Sequence, residues 1–266
     1  MSRPNPRRTQ GGFTLVEMSI VLLVIGLILG AVSIGKDIQR NAEYTRIKQK
    51  FIDQWVGSYN TYYLRAGVVL GDSQTAPSFM VNGAAAFAGT SGNTGDTSEY
   101  EEPAAVCDST TAPSGPDGTV RETPLGSLYD EMDRHGVRMP PGRSEGRESR
   151  YVYLDSNGNP QEIQVCFQWN KPGTASNSGN VMVISGLTPD LARALDQMID
   201  GKADAREGMF RQAGVENGTP GSAGVEWAGL NTQAQGAAPS ATVGAANTRR
   251  DEDQVLTLVA HYKMSQ

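Results

Sequence analysis

The sequence predicts an α+β fold: a long amino-terminal α-helix, membrane-spanning in its first half, packed on an antiparallel β-sheet with short accessory helices. Three observations predict it. The run from Phe13 to Leu64 holds no proline, opens apolar and continues amphipathic; β-rich runs separated by turn residues fill the middle of the chain; and one more such run closes it. With 266 residues, 38% hydrophobic content and 31 glycines, a modest core with long loops is expected.

Residues 7–36 read RRTQGGFTLVEMSIVLLVIGLILGAVSIGK, and from Met18 to Gly35 no residue is formally charged. At about 1.5 Å per residue that uncharged stretch reaches roughly 27 Å, just under the hydrocarbon thickness of a bilayer. Starting the span at Phe13 makes the reach comfortable. Three ordinary readings compete for the segment: a secretory signal cut at Ala31-Val32-Ser33, a plain anchor, and a twin-arginine signal using Arg7 and Arg8. Helical spacing continues past Gly35 through Ile38, Ala42, Ile47, Phe51, Trp55, Tyr59 and Tyr62 or Tyr63, which argues against a segment discarded whole. Gly67 is the expected terminator. A plain anchor leaves Glu17 unexplained, because a charge in the apolar layer costs roughly 3 kcal/mol. The first turn, where free backbone N–H groups favour an anion, offsets part of that cost. A cut between Gly12 and Phe13 would set a new α-amino group one turn from Glu17 and opposite to it in sign.

The stretch GGFTLVEMSIVLLVIGLILGAV resembles the class III signal of type IV pilins and pseudopilins: a short basic leader ending in Gly, a Phe, a Thr-Leu-Val-Glu run and an apolar stretch. The resemblance implies a prepilin peptidase that cuts after Gly12 and methylates Phe13, with Glu17 assisting methylation and pairing the terminal amine of a neighbouring subunit. In a low-dielectric bundle of helices an unpaired carboxylate is costly, so such pairing sets register. Two features depart from common patterns or complicate them. Many relatives carry a proline near Ile34, where this chain offers only Gly26, Gly30 and Gly35 to loosen the helix. Three arginines precede the span, but Lys36, Arg40, Arg46, Lys48 and Lys50 follow it, so charge counting does not favour a cytoplasmic amino terminus. The resemblance and the cysteine pair set the expected orientation, amino terminus inside and the remainder outside.

The resulting expectation is a pilin-like organisation: leader peptide 1–12, long helix 13–65 with its transmembrane half at 13–35, and a periplasmic or extracellular domain 66–266 with loops 72–118 and 213–249. The expected function is structural rather than enzymatic, as a minor pilin or pseudopilin of a type IV pilus or type II secretion filament. The implied partners are prepilin peptidase, other pilin or pseudopilin subunits, an inner-membrane assembly platform and membrane lipid. The implied location is the inner membrane, single-pass, and then the filament. The alternative from another class is an exported or membrane-anchored enzyme or receptor that uses the segment as a simple signal or anchor.

Within the distal part, residues 72–118 are rich in Ser, Thr, Gly, Ala and Pro and read as an irregular connection with small apolar clusters such as Phe79-Met80-Val81. TPLGSLYDEMDRHG predicts a short helix capped by Thr123, with Pro124 at its first helical position, Leu125, Leu128, Tyr129 and Met132 on one face, and Gly136 as its end. RYVYLDSNGNPQEIQVCFQW predicts a hairpin turning at Asp155–Pro160 around Asn157-Gly158, and NVMVISG a third strand. Thr188-Pro189-Asp190 opens a helix with Leu191, Leu195, Met198 and Ile199 as its apolar stripe and Gly201 as its stop. ISGLTPDLARALDQMIDG is also similar to a segment of pilin-like minor subunits. Residues 213–249 show no sustained period and read as a long surface excursion, after which QVLTLVAHYK supplies the last strand.

Formal charge is −6, and −9 without Arg3, Arg7 and Arg8 of the leader, so nucleic acid is not an expected partner. The two cysteines, Cys107 and Cys166, are expected to form one disulfide closing a loop of roughly sixty residues, worth about 4 kcal/mol in the chain-entropy treatment; two buried thiols are the alternative. His135 and His261 lack zinc-site spacing, and no nucleophile elbow or phosphate-binding loop is present. His135 reads as a cap or solvent-facing residue. Asp155, Asn157 and Asn159 have calcium-loop spacing without the closing Glu, and the hairpin explains them more simply. Asp196, Asp200 and Asp204 recur every four residues and read as a solvated acidic face, with calcium as the alternative. No catalytic residue, cofactor or metal is expected.

Overall fold

The computed structural model describes residues 14–84, 103, 105–107, 128–174, 176–216, 218, 223–227 and 257–265. The chain divides into two compact units, with the boundary between Glu43 and Tyr44. Helix α1 spans Leu15–Ile47, one π-helical turn follows over Lys48–Ile52, and α2 spans Asp53–Ala66. The helical run expected from the unbroken, proline-free pattern is therefore present. It stops where Gly67 takes a left-handed conformation (φ 75°) and donates its N–H to Tyr63 O at 2.9 Å.

In the first unit the apolar side chains of α1 stay exposed: Leu15 is 90% exposed and Leu27 70%. In the second unit the helical stripe is Tyr44, Ile47, Phe51, Trp55, Tyr59 and Tyr62, all buried. This corrects the expected start of the stripe, since Ile38 and Ala42 are exposed. The π turn explains a further difference. A turn with one extra residue advances the phase of the helix, so Phe51 and the adjacent Ile52 both reach the core.

The sheet has order β1-β2-β3-β5-β4, antiparallel throughout, with β1 Arg150–Leu154, β2 Pro160–Asn170, β3 Gly179–Leu187, β4 Phe210–Gln212 and β5 Leu258–Lys263. Together with the helices this is an α+β fold. One face carries Ile163, Val165, Phe167, Met182, Ile184 and Ala260 into the main core. The helical aromatics seat on that face: Phe51 lies 5.3 Å from Tyr151, and Phe167 lies 6.1 Å from Trp55 and 5.1 Å from Tyr59, ring centre to ring centre. On the opposite face Cys166, Val181 and Val183 form a smaller cluster with Ala105 and Cys107.

The hairpin forms where Asn-Gly predicts it. Asp155 Oδ1 accepts the N–H groups of Asn157 and Asn159, both at 2.8 Å, so its carboxylate serves the turn. Helix α3 spans Leu128–Arg134 and buries Leu128 and Met132, whereas Tyr129 faces outward, a correction to the predicted face. Thr123, Pro124 and Leu125 lie outside the described residues. Helix α4 spans Pro189–Asp200 and ends at Gly201 as expected, with Leu191 and Leu195 buried. Thr188 occupies its N-cap without a side-chain cap bond; its N–H donates instead to Tyr153 Oη at 2.9 Å. Strand β4 and the buried Trp227 both fall near or within the stretch expected to be an aperiodic excursion.

Candidate processing and assembly segment

Helix α1 begins at Leu15, which makes Thr14 its N-cap and Glu17 its third residue. Thr14 N–H and Thr14 Oγ1 both donate to Glu17 Oε2, at 2.8 and 2.9 Å, while Glu17 N–H donates to Thr14 Oγ1 at 3.2 Å. This is a reciprocal capping box. It gives the carboxylate a local role that sequence reasoning missed, although the T-x-x-E spacing at the head of an apolar run is its signal. Of the other residues assigned to this segment, Gly12 and Phe13 lie outside the described residues.

Beyond the cap, Leu15–Val32 is long and apolar enough to cross a membrane, with a mean hydropathy of 2.7 and none of it buried. A Cβ added at Gly26, Gly30 or Gly35 would meet no atom within 4 Å, so among the described residues nothing packs against these glycines. A helix with side chains of this kind exposed on every side is stable only where lipid or other helices surround it.

Cys107 and Cys166 form a disulfide across directly opposed backbone positions. Val106 pairs with Phe167 through reciprocal bonds of 2.7 and 3.0 Å, which leaves residues 107 and 166 as the close, non-hydrogen-bonded pair, 4.6 Å apart at Cα. The bridge fastens the 105–107 segment beside β2.

The three aspartates are not a solvated face. Asp196 is fully buried and its Oδ2 accepts Trp227 Nε1–H at 2.7 Å and Asp204 N–H at 2.6 Å. Asp200 accepts the N–H groups of Met209 and Phe210 at 3.1 and 2.9 Å. Asp204 Oδ1 accepts those of Arg206 and Val225, each at 3.1 Å. Asp196 and Asp200 stand one turn apart at the end of α4 and Asp204 lies in the segment that follows, and all three carboxylates hold irregular backbone. Among the described residues no group of three or more His, Cys, Asp or Glu side chains is arranged to hold a metal ion.

Both histidines have local partners. His135 Nδ1 lies 3.1 Å from Glu131 O, and its ring meets Tyr62 edge-on at 4.7 Å. Tyr62 Oη donates to the buried Glu131 Oε2 at 2.9 Å, and burial together with that carboxylate pushes the phenol up, so it stays a donor. His261, on β5, places Nδ1 3.1 Å from Ser176 O and 3.2 Å from Asn170 Nδ2. Burial pushes its imidazole down, against the opposing effect of the Ser176 carbonyl.

The family model for the prokaryotic N-terminal methylation motif matches residues 7–33. No curated protein and no solved structure matches the chain. The matched residues run from the basic leader through Glu17 to the apolar stretch of α1, so the chain carries an amino-terminal signal of the kind found in type IV pilin-like prepilins.

Proposed function

We propose that the chain is a structural subunit, a minor pilin or a pseudopilin, of a type IV pilus or type II secretion filament. In this reading prepilin peptidase cuts between Gly12 and Phe13 and the new amino terminus of Phe13 is methylated. The subunit waits in the inner membrane with its sheet domain in the periplasm, and an assembly platform moves it into the filament beside other subunits. The observation that carries the reading is the first part of α1: a capped, membrane-length stretch, Leu15–Val32, within the methylation motif, whose apolar side chains are exposed.

Glu17 is the residue that makes the helix more than an anchor. Its cap bonds land on Oε2, so the carboxylate is oriented at the very start of the helix, within reach of an amine delivered by a neighbour. Transfer from lipid into a bundle then favours the register in which charge meets charge. The disulfide supports placing the sheet domain in an oxidising compartment.

The reading is tested with Glu17→Ala expressed beside the wild type. Membrane insertion is expected to stay intact because the cost of the charge is removed, while recovery of the variant in sheared filaments falls. Equal recovery of both forms in filaments contradicts the pairing role.

A further inference from the structure

The carboxylates at the end of α4 carry an inference independent of the filament reading. Asp196 Oδ2 is doubly bonded by N–H donors, but Oδ1 of the same group is fully buried and receives none. An ionised oxygen in that position has lost its water and gained nothing. One turn later on the same face of α4 stands Asp200, itself an acceptor from two backbone N–H groups. Two carboxyl groups bond to each other only by way of a proton.

We propose that Asp196 and Asp200 share one proton, and that this proton holds a strap, residues 202–212 and 223–227, against α4. Acid locks the strap and neutral medium loosens it. The strap is tied to α4 through these two side chains and to itself through Asp204. Trp227 reaches back to Asp196 and lies 5.3 Å from Phe210, ring centre to ring centre, while Phe210 N–H is on Asp200 and Val225 N–H is on Asp204. The fit is close: a Cβ on Gly208, whose φ of 86° already disfavours a side chain, would stand 2.3 Å from Asp200 Oδ2, and one on Gly224 2.3 Å from Asp204 Oδ2.

Two of the other charged groups around the pair, Lys202 and Arg193, are held in ion pairs of their own. Lys202 Nζ lies 3.0 Å from Asp204 Oδ2 and 3.8 Å from Glu207 Oε2. Arg193, on α4, lies 3.6 Å from Asp190 Oδ1 and 3.2 Å from Glu226 Oε1, and its Nη2 donates to Trp227 O. Tyr262 of β5 faces Asp200, and burial pushes its phenol up, so it carries no charge into the window. Arg206 follows Asp204 in the strap. Burial, offset in part by the Trp227 and Asp204 hydrogen bonds and reinforced by Asp200, pushes Asp196 up to about 7. The sign follows: the folded chain binds a proton that the unfolded chain releases above its ordinary carboxylate range. The stabilisation is complete in acid and is lost as pH rises to about 7.

The test compares denaturant unfolding of the full chain in detergent with that of Asp196→Asn, whose amide donates to Asp200 without a proton to lose. Between pH 4 and 7 the ratio of wild-type to variant unfolding constants is expected to rise, by up to about tenfold per pH unit for one proton. An unchanging ratio overturns the proposal. A second measurement needs no variant: carboxyl carbon NMR of the wild type should show one aspartate titrating near neutrality, moved to lower pH in Asp200→Asn. If every aspartate titrates in the ordinary acid range, the shared proton does not exist and the proposal fails.

Discussion

Thr14 and Glu17 cap α1 by mutual donation, with the threonine giving two hydrogen bonds to one carboxylate oxygen and taking one from the Glu17 amide. A residue expected to work between subunits thus also starts its own helix. Thr14→Val keeps the shape of the side chain but removes the hydroxyl. It should cost roughly 1 kcal/mol at the helix start. Faster hydrogen exchange of the first-turn amides in detergent, with exchange past the second turn unchanged, is the expected outcome.

Trp55 sits on Phe167 in the centre of the helix–sheet contact and is fully buried. Trp55→Ala removes a large ring from a site closed by helix and strand together, so it should destabilise by about 3–5 kcal/mol. Val152→Ala, on an exposed position of β1, should change stability by less than about 0.5 kcal/mol. Denaturant midpoints of the two variants check the contrast.

The disulfide closes a loop with a sequence separation of 59. For that loop the chain-entropy relation gives about 4 kcal/mol. Cys107→Ser with Cys166→Ser is expected to lower stability by that order. The same fall should appear in wild-type protein on adding reductant, and a reduced protein as stable as the oxidised one would contradict it.

His261 predicts a pH response opposite to that of Asp196. Burial holds its imidazole below its ordinary value of 6.5, so in acid the unfolded chain takes up a proton that the folded chain does not. Stability from this site is present above about 6.5 and is lost as pH falls through that value toward the folded one. His261→Gln should flatten the acid limb of the stability curve measured by thermal unfolding, even if it lowers the curve as a whole.

Much of this is legible in the residues because local rules and tertiary structure agree. Asn157-Gly158 turns a hairpin, Gly67 and Gly201 stop helices in left-handed conformations, and Phe51, Trp55 and Tyr59 keep one face. The failures have physical causes. Ile38 is as apolar as Ile47, and spacing alone cannot say that the sheet unit begins at Tyr44. Period alone turns Tyr129 inward, but its amphipathic ring tolerates the surface. Asp196 follows the pattern of a solvated acidic helix face because its partners, Trp227 and Asp204, come from backbone with no period. In the assembly segment, Glu17 stands out through its charge in an apolar run. Thr14 does not, because a hydroxyl there needs no explanation until its geometry is seen.

Mass spectrometry of the amino terminus of the protein purified from membranes or filaments tests the central claim most directly. The account predicts a chain that begins at Phe13 and carries an N-methyl group. A chain that begins after Ser33, or one that keeps Met1, would contradict it.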